Sequence, residues 1–85
     1  MSKYPQHEPG RFDRSEDARG LSCPQPVIRA RSRLSRMEAG QVLALLADDP
    51  LADVDLRIFC ERTGHELLGA DSREDGSVEY RIRHR

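Results

Sequence analysis

An 85-residue chain has room for one domain with a single two-layer core. With 36% hydrophobic and 34% charged residues and a formal net charge of -1, it carries no global field toward nucleic acid or anionic membrane. No apolar run approaches the ~20 residues of a bilayer span, and the N-terminus lacks the apolar core of a signal peptide. The expectation is a cytoplasmic protein whose two cysteines are free thiols.

Residues 1–14 contain Pro5, Pro9, Gly10 and many charges but no periodic apolar residue; they read as a disordered tail before a single domain over 15–85. A short strand is expected from Ser15 to Arg19, against the poor strand propensity of Glu16 and Asp17. Gly20-Leu21-Ser22 then turns the chain into Cys23-Pro24-Gln25-Pro26. Val27, Ala30, Leu34 and Met37 recur at helical spacing and predict a helix over Pro24 to Ala39, with Gly40 as its stop. Arg29, Arg33 and Arg36 line its other side, with Arg31 nearby.

The continuous apolar run within Gln41 to Ala47 predicts a central strand. Asp48-Asp49-Pro50 is a helix-start signal, with an acidic N-cap before proline, for a second helix over Pro50 to Thr63 that ends at Gly64. Leu51, Val54, Leu56, Ile58, Phe59 and Cys60 make that helix apolar over a broad face. His65 to Ser72 and Ser77 to Arg83 read as strands joined through Asp75-Gly76; in the latter Val78, Tyr80 and Ile82 alternate inward. The order βαβαββ, with short right-handed crossovers, predicts an α/β two-layer sandwich: a four-stranded mixed sheet with two helices on one face. The central strand is apolar on both faces, so its open face is either a contact surface or shielded by neighbouring side chains.

Cys23 stands where a strand hands over to a helix, an edge where open α/β sheets place their sites. The same topology brings the Asp48-Asp49 turn to that edge. A helix N-terminus favours thiolate over thiol and can lower a cysteine from ~8.5 into roughly the 3.5–7.5 range where other groups assist. The effect here is expected to be modest: Pro24 and Pro26 each remove a first-turn N–H, and Asp49 opposes negative charge. Arg29 or Arg31 offsets this if either reaches back one turn. The residue before a proline is pushed out of the α region, so Cys23 is expected to be extended and partly ionised. The competing reading, a small buried hydrophobe, is disfavoured by its polar neighbours and flanking prolines. Cys60, beside Phe59 on an apolar face, reads as core. The cysteines and His7, His65 and His84 show no metal-ligand spacing. Asp48 and Asp49 most simply cap the second helix, and Asp49 is also a candidate for tuning Cys23 or touching a partner. The arginines, as a group, are candidates for docking an acidic partner surface.

From Arg19-Gly20-Leu21-Ser22-Cys23-Pro24-Gln25-Pro26 onward, the chain resembles the TusA family of sulfur carrier proteins, related to SirA. The likeness continues through Ala47-Asp48-Asp49-Pro50, Phe59-Cys60 and Gly64-His65-Glu66-Leu67-Leu68, in order and at compatible spacing, covering about Asp17 to Arg83. It implies a fold like the C-terminal domain of translation initiation factor three and makes Cys23 the active residue, accepting sulfane sulfur as a persulfide. It also implies a cysteine desulfurase or rhodanese-like donor and an acceptor relay protein, in the best-known role feeding 2-thiouridine formation at the tRNA wobble position. Other members serve sulfur oxidation or cofactor (molybdopterin) synthesis.

Three positions depart from the family pattern. Gln25 replaces an acidic residue between the prolines, Arg57 stands where proline is often seen, and Glu16 where an apolar residue is usual. The last is expected to leave the first strand less firmly packed. The expected protein is a monomeric sulfurtransferase that needs no cofactor or metal and does not itself contact nucleic acid or membrane. Its rivals are a thiol-based redox switch, a regulatory module using the arginine-rich helix, and a sibling carrier of the oxidation or cofactor pathways.

Overall fold

A computed structural model of the chain describes residues 11–85. Strands β1 (Arg14–Asp17), β2 (Val42–Ala47), β3 (Glu66–Ser72) and β4 (Val78–Arg83) alternate with helices α1 (Gln25–Leu34) and α2 (Ala52–Thr63) in the order βαβαββ. The sheet order is β1-β2-β4-β3. β1 runs parallel to β2, and β4 runs antiparallel to both its neighbours.

One core lies between the helices and one face of the sheet. Ala30 and Leu34 of α1, Leu56, Phe59 and Cys60 of α2, and Leu43, Leu45, Tyr80 and Ile82 of the sheet bury together. Period two along β2 and β4 sends Leu43, Leu45, Tyr80 and Ile82 to the helix side. Each fully buried leucine contributes roughly 1.5–3 kcal/mol of transfer free energy, so these side chains fix the strand registers. The opposite face of β2 is buried too: Val42 and Ala44 are 3% and 2% exposed. Their registered neighbours on β4 are Arg83 and Arg81, and Arg81 is itself mostly covered. Arg81 pairs with Asp71 at 2.5 Å and Glu79 at 3.3 Å, and Arg83 pairs with Glu66. Of the two fates open to this face, shielding by charged neighbours is the one observed; long arginine stems cover apolar surface while their heads stay wet. Gly69 makes room for this, since a Cβ there would collide with the Arg81 guanidinium.

Several boundaries differ from the sequence expectation. Of the tail expected over 1–14, residues 1–10 lie outside the described residues. Arg14 already belongs to β1, and Asp13 donates its N–H to the Val42 carbonyl at 2.8 Å while its carboxylate accepts the Val42 N–H. The strand is therefore Arg14–Asp17 rather than 15–19. Nor does Glu16 loosen it: the side chain is partly buried and accepts from both Arg29 (3.2 Å) and Arg33 (3.0 Å) of α1. These ion pairs tie β1 to α1.

α1 ends at Leu34, five residues before the expected boundary. The Ser35 hydroxyl bonds back to the Ser32 carbonyl, and tight turns follow through Arg36 N–H to Arg33 and Met37 N–H to Leu34. Met37 still reaches the core, which explains why its spacing mimics a longer helix. Gly40 is not the helix stop; it donates to the His84 carbonyl at the entrance to β2. α2 begins at Ala52, two residues after Pro50, and its broad apolar face is only half used: Leu51, Val54 and Ile58 are 55%, 48% and 41% exposed. Gly64 closes α2 in the left-handed conformation (φ 86°) and donates to the Cys60 carbonyl. His65 precedes β3 rather than starting it, and its ring packs against Phe59 and His84.

Leu56→Ala should cost about 2–5 kcal/mol in urea unfolding, because it opens a cavity in the sealed core. Ile58→Ala, two residues on but exposed, should change stability by less than about 0.5 kcal/mol. Equal losses would show that the two faces of α2 have been misassigned.

Candidate functional site

The segment between β1 and α1 is held from below by the turn after β2. Ala18 is fully buried and donates to the Leu46 carbonyl at 2.8 Å, extending the parallel pairing past β1. The Asp48 carboxylate accepts the Gly20 N–H at 3.0 Å, and Gly20 adopts φ 80°, which admits glycine without strain. Asp49 works in two directions: one oxygen accepts the Leu51 N–H at 2.9 Å before α2, the other the Cys23 N–H at 2.5 Å. Both βα turns thus meet at one edge and are tied by side chain to backbone. Beyond Cys23 the Cys23–Pro24 peptide is cis. Gln25 donates to the Ser22 carbonyl at 2.9 Å, and Pro26 is buried, anchoring the first turn of α1 to the core.

This architecture leaves the Cys23 side chain exposed and determines its protonation. The Sγ–H donates to the Asp55 carboxylate of α2 at 2.8 Å. That hydrogen bond, with partial desolvation and the negative charges of Asp55 and Asp49, pushes the thiol above its ordinary range. The expected lowering toward a partly ionised sulfur is therefore reversed. The start of α1 has little to set against it: Pro26 has no N–H, and the Gln25 N–H is spent on Ser22. Asp55 was not singled out in the sequence. Its signal was an acidic residue in the first turn of α2, on a helix whose start was already expected at Cys23's edge. Cys60 is buried in the core, and desolvation pushes its thiol up to about 11.

Cys23 stands in the lining of a groove of about 330 Å³ between the helices, with Pro24, Val27 and Arg31 from one side and Asp55, Ile58 and Arg62 among those from the other. Arg31 also lies over the Phe59 ring, 5.8 Å from its centroid. Arg29 and Arg33 are engaged elsewhere, with Glu16 of β1, so α1 divides its arginines between the sheet edge and the groove. A larger cleft of about 500 Å³, lined by Asp48, Asp49, Asp53, Arg57 and Tyr80 among others, does not include the thiol. Arg57 pairs with Asp53 one turn earlier at 2.8 Å. Among the described residues no group of three or more His, Cys, Asp or Glu could hold a metal ion, and no helix is long and apolar enough to cross a membrane. Chemically, the arrangement is an accessible thiol on a pinned backbone, beside a carboxylate and a groove bearing two guanidinium groups.

Timed iodoacetamide labelling with peptide mass analysis should modify Cys23 in the native protein and leave Cys60 untouched until the chain is unfolded. The Cys23 rate should still be climbing above the pH at which an ordinary thiol has levelled off, because its ionisation is displaced upward. A plateau already reached at neutral pH would contradict the Asp55 contact.

The model for the family described as sulfurtransferase TusA matches residues 16–84. The chain is 45% identical over 65 residues to the sulfur carrier protein TusA of Allochromatium vinosum, a match covering 76% of this chain and 83% of that protein. In three dimensions it is similar to the crystal structure of a SirA-like protein from Desulfitobacterium hafniense, with a TM-score of 0.76 and 32% identity over 84% of this chain and 96% of that one. The sandwich of four strands and two helices is thus shared with a SirA-like protein. The chain belongs to the TusA family, whose work is to carry and transfer sulfur.

Proposed function

We propose that this chain holds sulfane sulfur as a persulfide on Cys23, taken from a cysteine desulfurase or rhodanese-like donor and passed to an acceptor relay protein. The observation that carries the reading is the exposed Sγ of a cysteine whose backbone is pinned by Asp49 at the mouth of the interhelical groove. A relay thiol must be reached by two partners in turn, and a fixed backbone lets it dock without a large ordering cost.

In the forward step the Cys23 thiolate attacks the outer sulfur of the donor persulfide. One S–S bond forms as another breaks, and the donor's inner sulfur leaves as thiolate. Delivery is the same exchange run toward the acceptor, with Cys23 as the leaving thiolate. No cofactor or metal enters either step. The chain works stoichiometrically, as a cytoplasmic monomer, and the pathway we favour for its sulfur is 2-thiouridine formation at the tRNA wobble position. That role needs no contact between this chain and the RNA, in keeping with a net charge of -1. The sibling pathways of sulfur oxidation and molybdopterin synthesis would use the same thiol.

A redox-sensing role is less well supported. Sensor cysteines are low-pKa thiolates, whereas Asp55 holds this one as a thiol.

Incubation with a cysteine desulfurase and cysteine should raise the intact mass by about 32 Da, the gain being removed by reductant and absent from Cys23→Ser. Cys60→Ser should still load, since its sulfur is buried in the core. Addition of oxygen in place of sulfur, or loading that persists without Cys23, would refute the proposal.

A further inference from the structure

The contact between Cys23 and Asp55 has different consequences for the two states of a sulfur carrier. The empty state is a thiol, which has a proton to donate. The Sγ–H meets the Asp55 carboxylate at 2.8 Å, a favourable hydrogen bond to an anion. The loaded state is a persulfide, more acidic than a thiol because its charge rests on a terminal sulfur bonded to another sulfur. Once ionised it has no proton to offer, and the Asp55 carboxylate, in contact with Sγ, becomes a like charge beside it. Asp49, from the β2–α2 turn, adds to that repulsion while holding the Cys23 N–H. Arg31 of α1 and Arg62 of α2 line the same groove, and among the described residues neither is tied to a carboxylate, but the charges that act on the sulfur itself are those of Asp55 and Asp49.

We propose that Asp55 sets the sulfur-transfer poise of this chain: its carboxylate stabilises the empty thiol and destabilises the loaded anion, so that bound sulfur is readily given up. This rests on the reading of Cys23 as the persulfide site. The exchange is balanced as Cys23–SH plus a donor persulfide anion giving the Cys23 persulfide anion plus the donor thiol. One S–S bond breaks and one forms, the proton passes to the departing donor sulfur, and nothing is oxidised or reduced overall. Asp55 favours the left side of this equation through its hydrogen bond and disfavours the right through charge. Delivery to an acceptor, which regenerates the thiol, is correspondingly driven. Removing the charge should make the carrier hold its sulfur more tightly rather than lose the ability to load.

The full chain and its Asp55→Asn and Asp53→Asn variants would be equilibrated with glutathione persulfide and glutathione at several ratios. The loaded fraction is read by intact mass after acid quench, and the pH profile of iodoacetamide labelling at Cys23 is recorded for each protein. Asp55→Asn should raise the loading constant by roughly tenfold and move the labelling profile to lower pH. Asp53→Asn removes an equal charge from the same helix turn, where it pairs with Arg57, and should change neither. An unchanged loading constant in Asp55→Asn overturns the proposal, as does an equal shift in Asp53→Asn, which would make the effect one of overall charge. If the unsubstituted chain gains no sulfur at any ratio, the persulfide reading itself fails. That result is separable from the others, because it appears before any variant is compared.

Discussion

Two adjacent carboxylates after β2 hold the loop that carries the thiol. Asp48 takes the Gly20 N–H and Asp49 the Cys23 N–H, while Asp49's second oxygen serves the start of α2. Parallel pairing of β1 with β2 is what brings these turns together, since both strands then end at the same edge. The pairing in turn depends on β2 being buried on both faces, by the helices on one side and by the arginine-carboxylate lattice of β3 and β4 on the other. Core, sheet order and site are therefore one connected arrangement, with the Cys23 sulfur exposed above a fixed backbone.

The electrostatics of the edge run against the simplest idea of a helix-start cysteine. A helix N-terminus stabilises an anion only through N–H groups left free to point at it. Here proline and Ser22 remove that capacity, and Asp55 approaches from the neighbouring helix. A thiol held in its neutral form resists adventitious oxidation, which fits a carrier better than a sensor. The cations that a negatively charged sulfur or partner would meet lie further along the groove, at Arg31 and Arg62, next to exposed Ile58. Apolar and cationic surface thus lines the same groove as the Cys23 thiol.

Within the fold, the apolar run of β2, the alternation of Val78, Tyr80 and Ile82, and the glycine after Thr63 were all legible, because period and stop residue are local properties. The end of α1 was not. Met37 keeps helical spacing while the backbone has already tightened into short turns, so its burial is indistinguishable in sequence from another helical turn. How much of the broad apolar face of α2 would be covered was not legible either: Leu56, Phe59 and Cys60 are buried, whereas Leu51, Val54 and Ile58 stay exposed. Glu16 looked like a weakness in β1, and only the arrival of Arg29 and Arg33 from α1 makes it an anchor.

The order of elements, the presence of a cysteine where a strand passes to a helix, and the family to which these belong were determined by sequence alone. Each is written in short contiguous stretches. Tertiary structure alone decided the protonation of that cysteine and the division of the arginines between sheet edge and groove. Asp55 stands 32 residues from Cys23 along the chain and Glu16 lies 13 and 17 residues from its partners, so no local pattern encodes either contact. Both arise only when the packed core sets α1 beside α2 and beside β1, and charge interactions depend on distance in space.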